Sequence, residues 1–250
     1  MKNLIKGDVR RILSKKSLWG VFALAILSNI GIVLFYLFKK KYSSFNFSSG
    51  NIMGMTSIVS MIIGISVFLA VYADDFKSMT IISIIGRGNS RLKVILAKFI
   101  NSVIITGIMF IILALQIFVM SKVMGIEMIH DESLALGLLI IYGILLTIGY
   151  VTMAAIAIYG TGNISFSIFM VVMFYLIIPT ALSLTSMIPV LKSLNLSRYE
   201  YNGLLMAGFS SIILGMTTSG IVTLILSFVI YVGASLAIIY AIFRKKELDF

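Results

Sequence analysis

The longest uncharged stretch of the chain constrains its fold more than any other feature. Residues 133–191 contain no Asp, Glu, Lys, Arg or His over 59 positions. A membrane-spanning helix needs roughly 20 apolar residues at about 1.5 Å per residue, so this stretch is too long for a single span. A Gly-Thr-Gly-Asn sequence near its middle, at residues 160–163, is typical of a turn. We therefore expect two spans here, at 134–159 and 164–188.

Other apolar stretches extend the same pattern along the chain. Pro179 falls inside the span expected at 164–188, the fifth along the chain, where we expect a kink or the start of unwinding. The glycine-rich segment 203–215 is too short for a full crossing, so we expect it to enter the membrane partway and return. The sequence thus predicts an all-α membrane protein with six transmembrane helices in one domain over residues 17–250. The remaining four spans are expected at 17–38, 52–73, 99–121 and 220–243.

The composition excludes several classes of protein. Hydrophobic residues make up 60% of the chain and charged residues 12%, against roughly 45–50% and 25% in soluble domains, which excludes a soluble or disordered chain. The chain has no cysteine and one histidine, His130, which excludes disulfides, cysteine-ligated metals and multi-histidine sites. It also lacks a Walker A pattern. We expect no catalytic, cofactor-binding or metal-binding residue on this chain.

The distribution of basic residues predicts the orientation in the membrane. With six spans and a cytoplasmic N-terminus, the inner segments 1–16, 74–98 and 244–250 hold 14 Lys and Arg, and the outer segments hold 6. Basic residues near the ends of spans favour the cytoplasmic side. We therefore expect a multi-pass protein with both termini cytoplasmic. The net charge of +11 is explained by this topology and gives no reason to expect a nucleic-acid partner.

The first 16 residues form a separate pattern. Leu4, Ile5, Val9, Ile12 and Leu13 fall on one helical face, and most of the basic residues lie elsewhere. This arrangement predicts a basic amphipathic helix over residues 1–16 that lies on the inner leaflet and binds membrane lipid.

The loop between the second and third spans, residues 74–98, carries the most informative pattern. An acidic pair ends the second span, and 76–85 can form a short helix with apolar positions at helical spacing. Glycines end this helix, and Asn89 or Ser90 can cap the next one. Apolar side chains on a short loop helix need a partner surface. We expect the partner contact to involve Asp74, Asp75, Phe76, Lys77, Met79, Ile81, Ile82, Ile85, Arg87 and Arg91.

This loop resembles the cytoplasmic loop of ABC-2 type transporter permeases. Their pattern is an acidic residue at the end of span two, a short coupling helix, then Gly-x-x-(Ser/Asn)-Arg and a lysine that opens span three. Ser78 departs from it, because many members carry glycine there. The resemblance covers the whole chain in layout and about 25 residues in motif. The matching residues are Asp74 or Asp75, 76–85, Gly86, Ser90, Arg91 and Lys98.

The resemblance implies a half-transporter in the plasma membrane. Two such permease subunits would pair as a homodimer or a heterodimer, and each would dock a separate cytoplasmic ATP-binding subunit through its coupling helix. ATP and Mg²⁺ would be held by that partner and not by this chain. Closure of the ATP-binding subunits would rock the spans and open a path outward.

The lack of charge in the spans suits the export of a hydrophobic or amphipathic peptide. The side chains that could line its path are Phe68, Tyr72, Met173, Phe174 and Pro179. Four alternatives stay open at this point: export of lipophilic drugs, export of lipid-linked glycans, extrusion of sodium, and a non-transporting membrane protein that confers immunity or anchors a partner. Stable association with an ATPase distinguishes the transporter from the last of these.

Overall fold

The structure, a computed structural model, is built from helices and contains no strand among the residues it describes. Those residues are 2–42, 49–78, 80–123, 130–185, 187–188, 193–213 and 215–245. The α-helices, numbered along the chain, are α1 (Lys2–Leu13), α2 (Lys16–Tyr42), α3 (Ser49–Phe68), α4 (Asp74–Lys77), α5 (Thr80–Gly86), α6 (Arg91–Val123), α7 (His130–Thr161), α8 (Ile164–Val172), α9 (Ile178–Thr185), α10 (Tyr201–Ile213) and α11 (Thr217–Lys245).

Five helical segments of the described chain are long and apolar enough to cross a membrane. They are Ser57–Lys77, Arg91–Met120, Gly137–Thr161, Ile164–Thr185 and Thr218–Lys245. Two shorter apolar helices accompany them, one at the start of α2 and the other equal to α10. The prediction of an all-helical, multi-pass membrane protein is confirmed at this level.

Helix α7 is the centre of the bundle. It packs against α3, α6, α8, α10 and α11, and 67% of its membrane-length segment is buried. The predicted turn after α7 is present, with Gly162 in the left-handed region at φ 70°. Asn163 then caps α8, because its side-chain oxygen accepts the N–H of Phe166 at 3.1 Å. The turn predicted at residues 160–163 therefore separates the two spans expected within residues 133–191.

Two of the spans contain a π turn. The first, Leu69–Ala73, joins α3 to α4 without a break, so this helix extends past the predicted end of span two to Lys77. The second, Met173–Ile177, joins α8 to α9 directly before Pro179. Proline has no N–H, and its ring clashes with the carbonyl four residues earlier. The wider turn accommodates this conflict inside a continuous helix.

Helices α10 and α11 form a tight hairpin. They are joined at Gly215, whose φ of 83° is left-handed. A Cβ on Gly220 would lie 2.6 Å from the carbonyl oxygen of Gly208, so both helices approach at positions where only glycine fits. The predicted short segment is thus a helix of 13 residues, Tyr201–Ile213, packed along α11.

The loop after span two differs from its prediction. A single helix over 76–85 is wrong, because α4 ends at Lys77 and α5 begins at Thr80. Ser78 ends α4: its N–H and its Oγ both bond the carbonyl of Asp74, at 2.9 and 2.7 Å. The Oγ competes with the backbone N–H for this carbonyl, which weakens a helix locally, and Ser78 leaves the helical conformation with ψ 4°. The expected capping of α6 is present, with Ser90 Oγ accepting the N–H of Lys93 at 3.4 Å.

Candidate functional site: a buried charge cluster at the base of the bundle

Buried ionic side chains meet where α1, α4 and α6 converge, an end of the bundle that we call the base. Helix α1 contributes Asp8 and Arg11, α4 contributes Asp75, and α6 contributes Lys98 and Asn101; together they form the base cluster. The side chains of Lys98 and Asp75 are each 1% exposed. Charged side chains at this depth are rare in proteins unless they are paired.

The geometry of the base cluster pairs each acid with each cation. Lys98 Nζ contacts Asp75 Oδ2 and lies 2.6 Å from Asp8 Oδ2. Arg11 lies 2.6 Å from Asp75 Oδ1 and 3.4 Å from Asp8 Oδ1. Asn101 Nδ2 donates to Asp8 at 3.2 Å. Two acids and two bases therefore share one small volume, and their formal charges cancel.

The ion pairs of the base cluster hold α1 against α4 and α6. A buried charge is destabilising unless it is paired, and removing one partner leaves the other uncompensated. The pKa of Arg11 is raised, chiefly by its close contact with the Asp75 carboxylate, so the guanidinium stays charged. Ile12 beside it is fully buried. Helix α1 is thus held to α6 by its apolar face and by ion pairs on the same side.

A second ion pair lies next to the base cluster. Lys15 Nζ is 2.5 Å from Asp74 Oδ2 and donates to the carbonyl of Ala70 at 2.8 Å. Ala70 belongs to the π turn that precedes α4. Lys15, which lies between α1 and α2, therefore contacts both the π turn and Asp74 of the acidic pair. Both residues of that pair, Asp74 and Asp75, are bound to the N-terminal segment.

Arg91 joins the same loop to the end of α11. Its Nη1 donates to the carbonyls of Phe243 and Arg244 at 2.5 and 2.8 Å, and its guanidinium lies 5.6 Å from the centre of the Phe243 ring. Phe243 in turn packs edge-on against Tyr159 at 5.0 Å. Phe76 of α4 packs against the same tyrosine at 5.1 Å. The start of α6, the end of α7 and the end of α11 are thus fastened together.

Some of the residues predicted for partner contact face the core of the bundle, and others are exposed. Phe76 and Ile85 are half-buried against the core, and Ile81 is buried. Lys77 and Arg87 are exposed. Met79 lies outside the described residues, as does the side chain of Ile82. The described part of the loop therefore exposes charged and polar side chains of both signs. Its described apolar side chains between residues 76 and 85 face inward, whereas Leu92 at the start of α6 is 45% exposed.

The predicted pathway residues fall into two groups. Phe68 and Tyr72 are buried on one helix and stack on each other at 5.7 Å, with Tyr72 also against Tyr159. Met173 and Phe174 lie in the second π turn, and Pro179 follows in α9; all three are half-buried. Phe174 stacks on Tyr150 at 6.0 Å. The two groups thus have different ring partners.

A second polar cluster fastens the start of α10 to α7. Three consecutive residues bond three groups of α7: Glu200 accepts from Tyr150, Tyr201 donates to the carbonyl of Leu145 at 2.6 Å, and Asn202 accepts from Tyr142. Glu200 also accepts the N–H of Gly203 at 3.1 Å and so caps α10. Burial raises the pKa of this carboxyl group above its ordinary value.

Sequence reasoning missed how the base cluster is assembled. It placed Asp8 in a basic leader, took Lys98 as the residue that opens span three, and gave Asn101 and Glu200 no role. One signal was present. Asp8 is the only acid in residues 1–16, and it shares a helical face with Ile5 and Ile12. An acid on an apolar face predicts a buried partner.

No protein-family model and no curated protein matches the chain.

Proposed function

We propose that this chain is the membrane permease subunit of an ATP-driven ABC-2 type exporter, with a hydrophobic or amphipathic peptide as its cargo. The observation that carries the proposal is the way in which the loop 74–91 is fastened. Asp74 and Asp75 bind the N-terminal segment and α6, and Arg91 binds α11. A force applied to this loop by another chain would act on three helices at once.

The distribution of charge supports energy input from outside the chain. The predicted spans contain no Asp, Glu, Lys, Arg or His, and the charged residues of the base cluster fall just outside their bounds. The described residues contain no group of acids, histidines or cysteines that could hold a metal ion. Proton relays and ion pathways in membranes are built from such side chains. ATP and Mg²⁺ are assigned to a separate cytoplasmic subunit, and an uncharged path suits an apolar or amphipathic peptide.

The proposed assembly has a definite topology. Helix α2, 27 residues long, would bring the number of spans to six as the first span along the chain, because it reaches about 40 Å at about 1.5 Å per residue. Helix α10 would be the re-entrant segment, because 13 residues reach only about 20 Å. Both termini and the loop 74–98 would be cytoplasmic in the plasma membrane, and a second permease subunit, identical or similar, would complete the exporter.

The first experiment tests this topology. The chain has no cysteine, so single Cys variants at Ser193 and Ser90, both exposed, can be labelled in intact cells. An impermeant thiol reagent should label Ser193→Cys and leave Ser90→Cys unlabelled until the membrane is opened. Reversed labelling would contradict the proposed orientation.

The second experiment tests the partnership. The tagged chain is purified from its native membrane in mild detergent, and a Walker A-containing ATPase should purify with it in stoichiometric amount. Arg87→Glu places a negative charge on the exposed loop and should reduce this association. Lys122→Glu is the matched control, because Lys122 is exposed at the opposite end of α6. Absence of an ATPase, or equal association for both variants, would favour a non-transporting membrane protein.

A further inference from the structure

The end of α11 is enclosed by side chains from two other helices. Phe243 is 1% exposed although it lies within three residues of the helix end. Arg91 reaches it from the start of α6, and Tyr159 packs on it from α7. The last carbonyls of a helix have no partner within the helix and carry partial negative charge. A guanidinium that bonds two of them caps the helix both sterically and electrostatically.

Arg91 combines two contacts at this position. Its Nη1 donates to the carbonyls of both Phe243 and Arg244, while the guanidinium lies over the ring of Phe243. A lysine ammonium at the same place could supply the charge and the donors, but not the planar group that stacks on the ring. The partner of Arg91 is therefore the α11 terminus of the same chain, although the motif that contains it was expected to face another protein.

We propose that Arg91 is a positioning residue that transmits movement of the loop 74–91 to α11, the last span. The loop has one face that packs inward through Ile81, which is 4% exposed, and Phe76, which packs on Tyr159. Displacement of this face shifts the start of α6, and Arg91 carries the shift to the end of α11. The direction of this transmission in a transport cycle rests on the proposed function, but the mechanical link does not.

The test uses the full chain alone in lipid nanodiscs, with hydrogen–deuterium exchange of residues 239–245 as the readout. Arg91→Gln should raise the exchange rate of these amides by about tenfold, because two charge-assisted bonds at the helix end are lost. Arg91→Lys should retain part of the protection. Lys93→Gln is the control: it removes an exposed cation two residues away and should leave exchange unchanged.

A second variant separates transmission from simple capping. Ile81→Ala loosens the inner face of the loop and should raise exchange at 239–245 when Arg91 is present. In the Arg91→Gln background the same change should add nothing. Unchanged exchange in Arg91→Gln, or an equal effect of Ile81→Ala with and without Arg91, would overturn the proposal. If Arg91→Gln does not fold, the same comparison is made in Arg91→Lys, where the effect of Ile81→Ala should be reduced.

This outcome is independent of the ATPase experiment. A failed exchange test would leave ATPase association intact, since that contact is assigned to the exposed side of the loop. A failure to find an ATPase would leave the exchange result standing, since no partner is present in the nanodisc.

Discussion

Replacement of Lys98 by methionine tests whether the base cluster holds α1 in place. Lys98→Met preserves most of the side-chain volume and removes one of the two cations that contact both Asp8 and Asp75. Asp75 would keep Arg11 at 2.6 Å, whereas Asp8 would keep only Asn101 at 3.2 Å and Arg11 at 3.4 Å. The cluster would change from neutral to a net charge of −1, with Asp8 poorly compensated.

The magnitude follows from the burial of the pair. Removing one partner of a buried ion pair costs about 3–5 kcal/mol. Arg11 remains as a second cation, so we expect the low end of this range, about 3 kcal/mol. Lys93→Met is the control, because Lys93 is exposed, and it should change stability by no more than about 0.5 kcal/mol.

Two measurements report the result. Unfolding of the purified chain in mixed micelles gives the loss of stability, and trypsin cleavage after Arg10 reports the release of α1. A double-mutant cycle with Asp8→Asn should show coupling of about 1–3 kcal/mol, because removing both charges restores neutrality. A loss below about 1 kcal/mol for Lys98→Met, together with additivity in the cycle, would refute the assignment of the base cluster as the fastening of α1.

Three further predictions concern other parts of the fold. Glu200→Gln should stabilise the protein at pH 7.5 and lose this advantage on acidification. Burial raises the pKa of the Glu200 carboxyl, so its ionisation disfavours the folded state as pH rises from the unfolded pKa through the folded one. A pH series of unfolding midpoints checks this prediction, and a difference between variant and parent that does not change with pH contradicts it. Gly149→Ala should destabilise the protein by about 1–3 kcal/mol, since the added Cβ would lie 2.2 Å from the Tyr201 ring. Adding Tyr201→Leu should relieve this clash, and the same unfolding assay compares the single and the double variant. Asn163→Ala should lower stability by about 1 kcal/mol through loss of the cap on α8, whereas Asn163→Ser should retain most of it.

The sequence by itself determined the class of the fold and which stretches form long helices, although several helices extend beyond the predicted spans, α6 by eight residues at its start. Long uncharged stretches can be accommodated only as membrane-length helices, because an unpaired backbone is too costly in lipid. The turn at 160–163 was likewise readable, since glycine and asparagine supply the backbone geometry and the cap that it needs. These features depend on neighbours along the chain, so the local pattern was sufficient.

Partners distant in sequence were decided by the tertiary structure. The sequence marked Asp75, Arg91 and Lys98 as a motif, and the tertiary structure supplied Asp8, 90 residues from Lys98, and the end of α11, 152 residues from Arg91. The tertiary structure also decided that Phe76 and Ile81 pack inward against the bundle. An amphipathic loop helix has an apolar face in any setting, and only the packed bundle decides whether that face meets its own chain or another. Charge pairing in a buried site depends on which helices converge, and one-dimensional spacing does not encode this convergence.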